Sequence, residues 1–395
     1  MNYSEDIVMV RFGELSTKGK NIKDFIKKLG QNIKEALKDV KGLTYEMRHD
    51  HIYIELHSVP FDDVKDIIAK VPGLTSFSLV ESLPRDIDVI KAKALDMARE
   101  SDAKSFKVIT KRVDKLFSYH SDDINRQVAG LILSTLNGKM KVDVHDPELK
   151  INITIREDVV YMYSKVYEGI GGYPVGVAGK GLMLISGGID SPVASYLMMK
   201  RGVKLEMIHF AAPPYTSDQV LVKIEDLVHK LNIYQPAVKL YIVPFTKIQE
   251  KIYEVAGSSY AITIMRRIML QIAARVACAH KDLVLGSGES IGQVASQTLH
   301  SMRAIEEVLR MPLIRPLATY DKVDIIKIAK QIDTYDISIR PFEDCCTIFK
   351  VVNPTTKPSM EKIQEIESKF DFQPLIREAI DNIESRLIKK EEELF

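Results

Sequence analysis

In "LMLISGGIDSPVASYLMMKRG" five polar or small residues, Ser186, Gly187, Gly188, Asp190 and Ser191, stand between an apolar strand and a helix. Two glycines let a backbone approach a ligand closely, and Ser191 followed by Pro192 is a natural helix start. Loop amides and the positive end of a helix both favour an anion, so a polyphosphate suits this place. A plain β–α turn also uses glycine and serine, and a Gly-Gly pair by itself does not separate the two readings. A second chemical group stands far downstream in "RPFEDCCTIF", which holds the adjacent thiols Cys345 and Cys346. A cysteine reacts as an accessible thiolate, whereas most unpaired cysteines are inert core residues. The third group is basic. "KSFKVITKRVDKLFSYHSDDINRQ" carries Lys107, Lys111, Arg112, Lys115 and Arg126, with Phe117 and Tyr119 interleaved. Such a cluster is either a solvated face or a phosphate-binding one, and charge alone leaves both open.

Composition narrows the classes. With 395 residues, 46% of them hydrophobic and 28% charged, the chain has material for two or three domains with cores of their own. A formal charge of +1 excludes a uniformly basic polyanion binder but not a local basic face. The apolar runs are strand-length, and "MNYSEDIVMV" has neither the basic start nor the apolar core of a secretion signal, so a cytoplasmic protein away from membranes is expected. Three cysteines make neither a disulfide framework nor a four-cysteine zinc site. Cys278, in "MLQIAARVACAH" on an apolar helix, is expected in the core. No G-x-x-x-x-G-K-[ST] and no G-x-G-x-x-G occurs, which argues against a Walker loop and a dinucleotide fold.

The elements that must position these groups fall into three sections. "DIVMVRFGE", "NIKDFIKKLGQNIKEALKDV", "LTYEMRHD", "HIYIEL", "FDDVKDIIAKV" and "LTSFSLV" read strand, helix, strand, strand, helix, strand, the ferredoxin-like order. From about Arg85 a second small α/β unit follows, through "DVIKAKALDMARE", "SFKVITKRV", "DDINRQVAGLILSTL" and the strands "KVDV", "KINITIRE" and "VVYMYSKVYE". "GIGGYPVGVAGKG" is the best linker. Beyond it "LMLIS", "KLEMIHF", "KLYIVPF" and "DLVLGS" are short, continuously apolar and spaced by helix-length segments, as in a parallel sheet covered on both faces. The charged C-terminal "ESRLIKKEEELF" reads as an amphipathic helix.

"SGGIDS" resembles the PP-loop signature SGGxDS of enzymes that cleave ATP between its α and β phosphates and adenylate a substrate. "VRFGELSTKGKN" is similar to the opening motif of the tRNA 4-thiouridine synthetases, the tRNA sulfurtransferases of the ThiI family. "SFKVITKRVDKLF" and "GIGGYPVG" resemble that family's THUMP domain and following linker, and "GESIGQVASQT" and "PFEDCC" its late active-site segments. The resemblance implies an α/β protein with an N-terminal ferredoxin-like domain over 1–80 and a THUMP RNA-binding domain over 81–168. A linker over 169–178 then leads to a C-terminal doubly wound parallel-sheet PP-loop domain over 179–395, of the adenine nucleotide alpha hydrolase-like kind.

The implied activity is conversion of uridine 8 of tRNA to 4-thiouridine, with ATP and Mg2+ as cofactors. A cysteine desulfurase supplies persulfide sulfur, and many members also serve thiamine thiazole synthesis through a sulfur carrier protein. A homodimer binding the tRNA acceptor stem and 3′ end is implied too. Residue by residue, the resemblance gives the pyrophosphate to Ser186, Gly187, Gly188, Asp190 and Ser191. The adenosine falls to Leu184, Ile185, His209 and Phe210, with Arg266, Gly288 and Gln297 completing the nucleotide site. Sulfur falls to Cys345, and Asp190 acts beside the reacting phosphate or its magnesium. RNA phosphates fall to Lys107, Lys111, Arg112, Lys115 and Arg126. The chain matches the form of the family without a rhodanese domain, so the desulfurase either hands sulfur directly to Cys345 or uses a separate carrier. Two other readings compete. Another PP-loop enzyme, such as a 2-thiouridylase, explains "SGGIDS" but not the N-terminal motif, and a non-catalytic THUMP RNA-binding protein does not need Asp190, Ser191 and Cys345.

Overall fold

A computed structural model describes residues 6–13, 22–342 and 354–390. The chain divides into two compact units, Met1–Gly171 and Gly172–Phe395.

The first unit opens with β1 (Ile7–Arg11), α1 (Ile22–Ala36), β2 (Thr44–Met47), β3 (Ile52–Glu55), α2 (Phe61–Ala69) and β4 (Ser76–Leu83), the ferredoxin-like order read from the sequence. It continues with α3 (Ile87–Arg99), β5 (Ser105–Arg112), α4 (Ser121–Leu136), β6 (Lys141–Val142), β7 (Leu149–Ile155), β8 (Val160–Tyr163) and β9 (Tyr167–Glu168). All nine strands form one sheet in the order β2-β3-β1-β4-β8-β7-β5-β6, with β9 paired to β4. The expected border at residue 80 therefore falls inside a strand. β4 pairs antiparallel with β1 along Ser76–Val80 and with β8 along Glu81–Leu83, so one strand serves both halves. In the second half Ile124, Val128 and Ile132 recur at helical spacing on α4 and close over Phe106 of β5 and Ile151 and Ile153 of β7. Each of these side chains is 0% exposed, which is worth about 1.5–3 kcal/mol apiece as an upper estimate.

The second unit carries β10 (Lys180–Leu184), α5 (Asp190–Lys200), β11 (Lys204–Ala211), α6 (Gln219–Leu231), β12 (Ala237–Pro244) and α7 (Thr246–His280). β13 (Val284–Gly286), α8 (Leu299–Glu306), β14 (Leu313–Ile314), α9 (Lys322–Gln331), α10 (Tyr335–Ser338), α11 (Met360–Ser368), α12 (Gln373–Asp381) and β15 (Glu384–Lys389) follow. The sheet order is β14-β13-β10-β11-β12-β15, parallel except for the last pair. From β10 the chain steps to β11 and β12 on one side, then returns to place β13 and β14 on the other. A crevice opens at such a reversal, outside the carboxyl ends of the strands, and ligands bind there.

Two expectations are corrected. The C-terminal stretch is not a helix: Glu384–Lys389 pairs antiparallel with β12, burying Ile388 opposite Val238 while Leu387 faces outward at 59% exposure. Its charges suit an edge strand, where they oppose pairing with another chain. Cys278 is exposed, because it lies on the outer side of α7 while Ala273, Val276 and Ala277 face the core. An apolar stretch of a long helix still has one residue in several pointing away. Among the described residues no helix is long and apolar enough to cross a membrane.

Candidate active site

The loop after β10 is built from its own side chains. Ser191 Oγ accepts the amide of Ser186 at 3.0 Å and donates to the Ser186 carbonyl at 3.1 Å, so the first turn of α5 is tied to the loop's beginning. Ser186 Oγ in turn accepts the Gly188 amide at 3.4 Å. Ser191 is thus spent on shaping the loop, which its expected place at the helix start already suggests. α5 is buried nearly all round, through Val193, Ala194, Tyr196, Met198 and Met199, so the helix start is fixed by packing as well.

The second wall comes from the loop after β13. A Cβ on Gly288 would lie 2.7 Å from the Ser191 amide nitrogen and 2.9 Å from the Asp190 carbonyl carbon, both backbone atoms that cannot step aside. Glycine here sets the distance between the two loops that flank the strand reversal. The same holds less strictly at Gly187, whose added Cβ would stand 3.2–3.3 Å from the end of the Lys223 side chain.

Between these walls lies a cavity of about 280 Å³. Leu184, Ile185, Ser186, Asp190 and Ser191 line one side. His209, Phe210, Arg266, Gly288 and Gln297 line it too, so ten of the twelve residues expected at a nucleotide converge, with Gly187 and Gly188 in the loop between Ser186 and Asp190. Ile208, Met269, Leu270 and Ile305 give the cavity an apolar floor. A half-apolar cleft with a few fixed polar groups suits a base and sugar, and the loop amides at its end suit phosphates. His209 is 3% exposed and its Nδ1 lies 3.2 Å from the Ile185 carbonyl, which fixes the ring against the strand end. Phe210 meets Phe245 edge to face at 5.2 Å and belongs to the core as much as to the cavity.

Several charged groups of the site were not found in the sequence. Asp190 Oδ1 accepts from Lys322 Nζ at 2.5 Å and Oδ2 accepts from Gln293 Nε2 at 3.1 Å. Lys322 opens α9, 132 residues away in the chain. Nothing local in "DKVDIIKIAK" marks it. Lys223 does leave a signal: it falls in phase with Val220, Ile224, Leu227 and Leu231 on the buried side of α6, where a lysine costs free energy unless its ammonium is bonded. It is 3% exposed, and its Nζ donates to the carbonyl oxygens of Arg340 at 3.0 Å and Phe342 at 3.4 Å. Arg266 is not a lone cation either, because its Nη1 donates to the carboxylate of Glu289. Burial drives the Glu289 carboxyl up, but Arg266, Arg315 and the Ser287 hydroxyl together hold it below the ordinary range.

Cys345 and Cys346 lie outside the described residues, as does the 14–21 part of the N-terminal motif. In the first unit the basic residues have different surroundings. Lys111, Lys115 and Arg126 are exposed, Arg126 standing 4.0 Å from Asp123. Lys107 Nζ donates to the Val144 carbonyl at 2.9 Å. Arg112 is committed further: its Nη1 donates to the carbonyls of Phe117 at 3.2 Å and Tyr119 at 2.9 Å, holding the turn between β5 and α4.

Three family models match the chain in order: a ThiI ferredoxin-like domain over 7–78, a THUMP domain over 84–165 and the thiamine biosynthesis protein ThiI over 176–372. Relatives named "probable tRNA sulfurtransferase" match nearly end to end. That of Lactobacillus helveticus is 45% identical over 97% of this chain and 95% of its own, and that of Bacillus licheniformis 45% identical over 99% and 98%. The chain belongs to the ThiI family. Among solved structures, a 4-thiouridine synthetase in complex with RNA and bound ATP is 32% identical, with a TM-score of 0.88 over 98% of this chain and 100% of that one. A Pyrococcus horikoshii protein, PH1313, is 20% identical over 83% and 99% with a TM-score of 0.62, which bears on the fold alone. The ThiI match agrees with all three parts of the fold read from the sequence, from the ferredoxin-like order to the parallel PP-loop sheet.

Proposed function

We propose that this ThiI-family protein is an ATP-dependent tRNA sulfurtransferase that adenylates uridine 8 and replaces its 4-oxygen with sulfur. The observation that carries the reading is the meeting of the SGGIDS loop with Arg266, Gly288 and Gln297 around one cavity at the strand reversal. In this reading Leu184, Ile185, His209 and Phe210 frame the adenosine, and the SGGIDS loop with the start of α5 takes the phosphates. The uracil 4-oxygen attacks the α phosphorus, pyrophosphate leaves, and the poor leaving group at C4 has become AMP. The Lys322 ammonium, held by Asp190, is the cation near the departing charge. Magnesium usually takes one or two carboxylates plus substrate phosphates, and Asp190 at the loop fits that donor set. A magnesium ion held there with ATP would supply charge neutralisation at the phosphates.

A persulfide on Cys345, loaded by a cysteine desulfurase directly or through a carrier, then attacks C4 with its terminal sulfur and expels AMP. A thiol cleaves the remaining S–S bond, leaving 4-thiouridine in the tRNA and a disulfide on the enzyme. Adjacent cysteines form strained rings, so an external thiol is favoured over Cys346 as that reductant's entry to the cycle. Supply of sulfur to thiazole synthesis through a sulfur carrier protein, a homodimeric assembly and a cytoplasmic location complete the reading. The deciding experiment mixes protein, ATP, cysteine, a desulfurase and unmodified tRNA. Pyrophosphate release together with a thionucleoside at position 8 is expected. A thio group at C2, or on another nucleotide, would sink the assignment.

The first unit holds the tRNA in this reading by phosphates near the acceptor stem and 3′ end, without reading bases. Exposed Lys111 and Lys115 are the cleanest probes, because Arg112 also holds a turn together. Replacing both lysines by Ala is expected to weaken tRNA binding and flatten its logarithmic salt dependence by about two units, with ATP affinity unchanged. Filter binding across a salt series measures this, and an unchanged slope would leave these lysines as solvated surface.

A further inference from the structure

Glu289 is 6% exposed and sits two residues beyond Gly288's neighbour Ser287, in the loop that follows β13. Its Oε1 accepts from Arg266 Nη1, and its Oε2 accepts from Arg315 Nε at 2.8 Å and from the Ser287 hydroxyl at 3.0 Å. Arg315 is fixed in turn, its Nη1 donating to Glu306 Oε2 at 2.5 Å. The chain of contacts joins four elements: α7 supplies Arg266, the loop after β13 Glu289, the residue after β14 Arg315, and the end of α8 Glu306. Glu289 and Arg266 both line the cavity, whereas Arg315 does not.

A buried carboxylate is costly unless paired, and here it lies between two guanidiniums, one at the cavity and one behind it. Pairing with Arg315 and Ser287 alone would satisfy one carboxylate oxygen. The other is aimed at Arg266, a long side chain that would otherwise sample many rotamers at the cavity edge.

We propose that Glu289 is a positioning residue for the nucleotide: it holds the Arg266 guanidinium in the cavity wall, oriented to receive ATP, and is itself held by Arg315. This rests on the reading that the cavity takes ATP. ATP is recognised by Arg266 through its remaining N–H groups, and Glu289 acts only through that side chain.

A double-mutant cycle tests it, with the dissociation constant of magnesium-ATP read by calorimetry in the absence of tRNA. Arg266→Ala is expected to weaken ATP at least about tenfold, Glu289→Gln about tenfold in the wild-type background, and Glu289→Gln less than about threefold when Arg266 is already Ala. Equal loss from Glu289→Gln in both backgrounds would overturn the proposal, since the carboxylate would then act independently of Arg266. Unchanged ATP affinity in Glu289→Gln would overturn it as well, even with a lowered unfolding temperature, because that outcome describes a residue serving stability alone. Unchanged affinity in Arg266→Ala is a separate failure, of the ATP assignment to this arginine. Should Glu289→Gln not fold, Glu289→Asp keeps the charge one methylene short of Arg266, and the same cycle with it has the same expected and opposing outcomes.

Discussion

Cys345→Ser is expected to release pyrophosphate from ATP in the presence of tRNA and yet make no thiolated base. In the proposed reaction, activation of the uracil oxygen uses the PP-loop and its displacement uses sulfur on a cysteine, so removing the thiol should separate the two steps. A serine hydroxyl cannot carry a persulfide, and the loss of thiolation should be at least about a thousandfold. Adenylated tRNA should accumulate and be visible as radioactive AMP bound to the RNA. Cys346→Ser serves as the comparison, expected to complete one turnover even where repeated turnover suffers. If Cys346 proves essential in a single turnover and Cys345 does not, the sulfur carrier is the second thiol of the pair.

Asp190→Ala should remove the first step instead. Its carboxylate holds Lys322 Nζ at 2.5 Å and Gln293 Nε2 at 3.1 Å at the edge of the phosphate loop, so the mutation frees an ammonium from its position. A loss of about a hundredfold to a thousandfold in tRNA-dependent AMP formation is expected, comparable to deleting a preorganised group that acts on transition-state charge. Binding of tRNA should change by no more than a few-fold, since the proposed RNA-phosphate contacts lie on other residues. Normal AMP formation in this variant would remove Asp190 from the reaction.

How legible the site was depended on how local its signals are. The SGGIDS loop, Gly288 and Gln297 sit in short glycine-rich or motif-like stretches, and a parallel sheet forces the loops after β10 and β13 to the same end. Their meeting in one cavity follows from four apolar runs in the sequence. Lys322 and Arg315 carry no such mark, because each is an ordinary surface-type residue whose partner is distant in the chain, whereas Gln293 lies within the quoted "GESIGQVASQT". The pairing of Arg266 with Glu289 was invisible for the same reason, so the arginine read as a free phosphate ligand. Lys223 does carry a local signal, being a lysine at a buried phase of an amphipathic helix. Composition does not separate the last strand from a helix, since charged residues suit an edge strand as well as a helix face, nor does an apolar stretch say which side of a helix Cys278 takes.

The strand β4 gives the first unit a property that two matched domains would not have separately. Its amides and carbonyls bond to β1 over one half and to β8 over the other, so neither half can lose its edge without unpairing the strand the other uses. Local opening should therefore propagate: hydrogen exchange at the middle of β4 reports global unfolding of both halves at once, where a linked pair of independent modules would show two protection levels. A ferredoxin-like fragment ended at residue 80 would keep the β1 pairing but lose β9 from Ser76 and Phe77, and the fragment left behind would cover β8 only with the three-residue stub Glu81–Leu83. Nine strands in one sheet thus tie the two matched domains together, and a truncation at their border is expected to lower the unfolding temperature of both fragments.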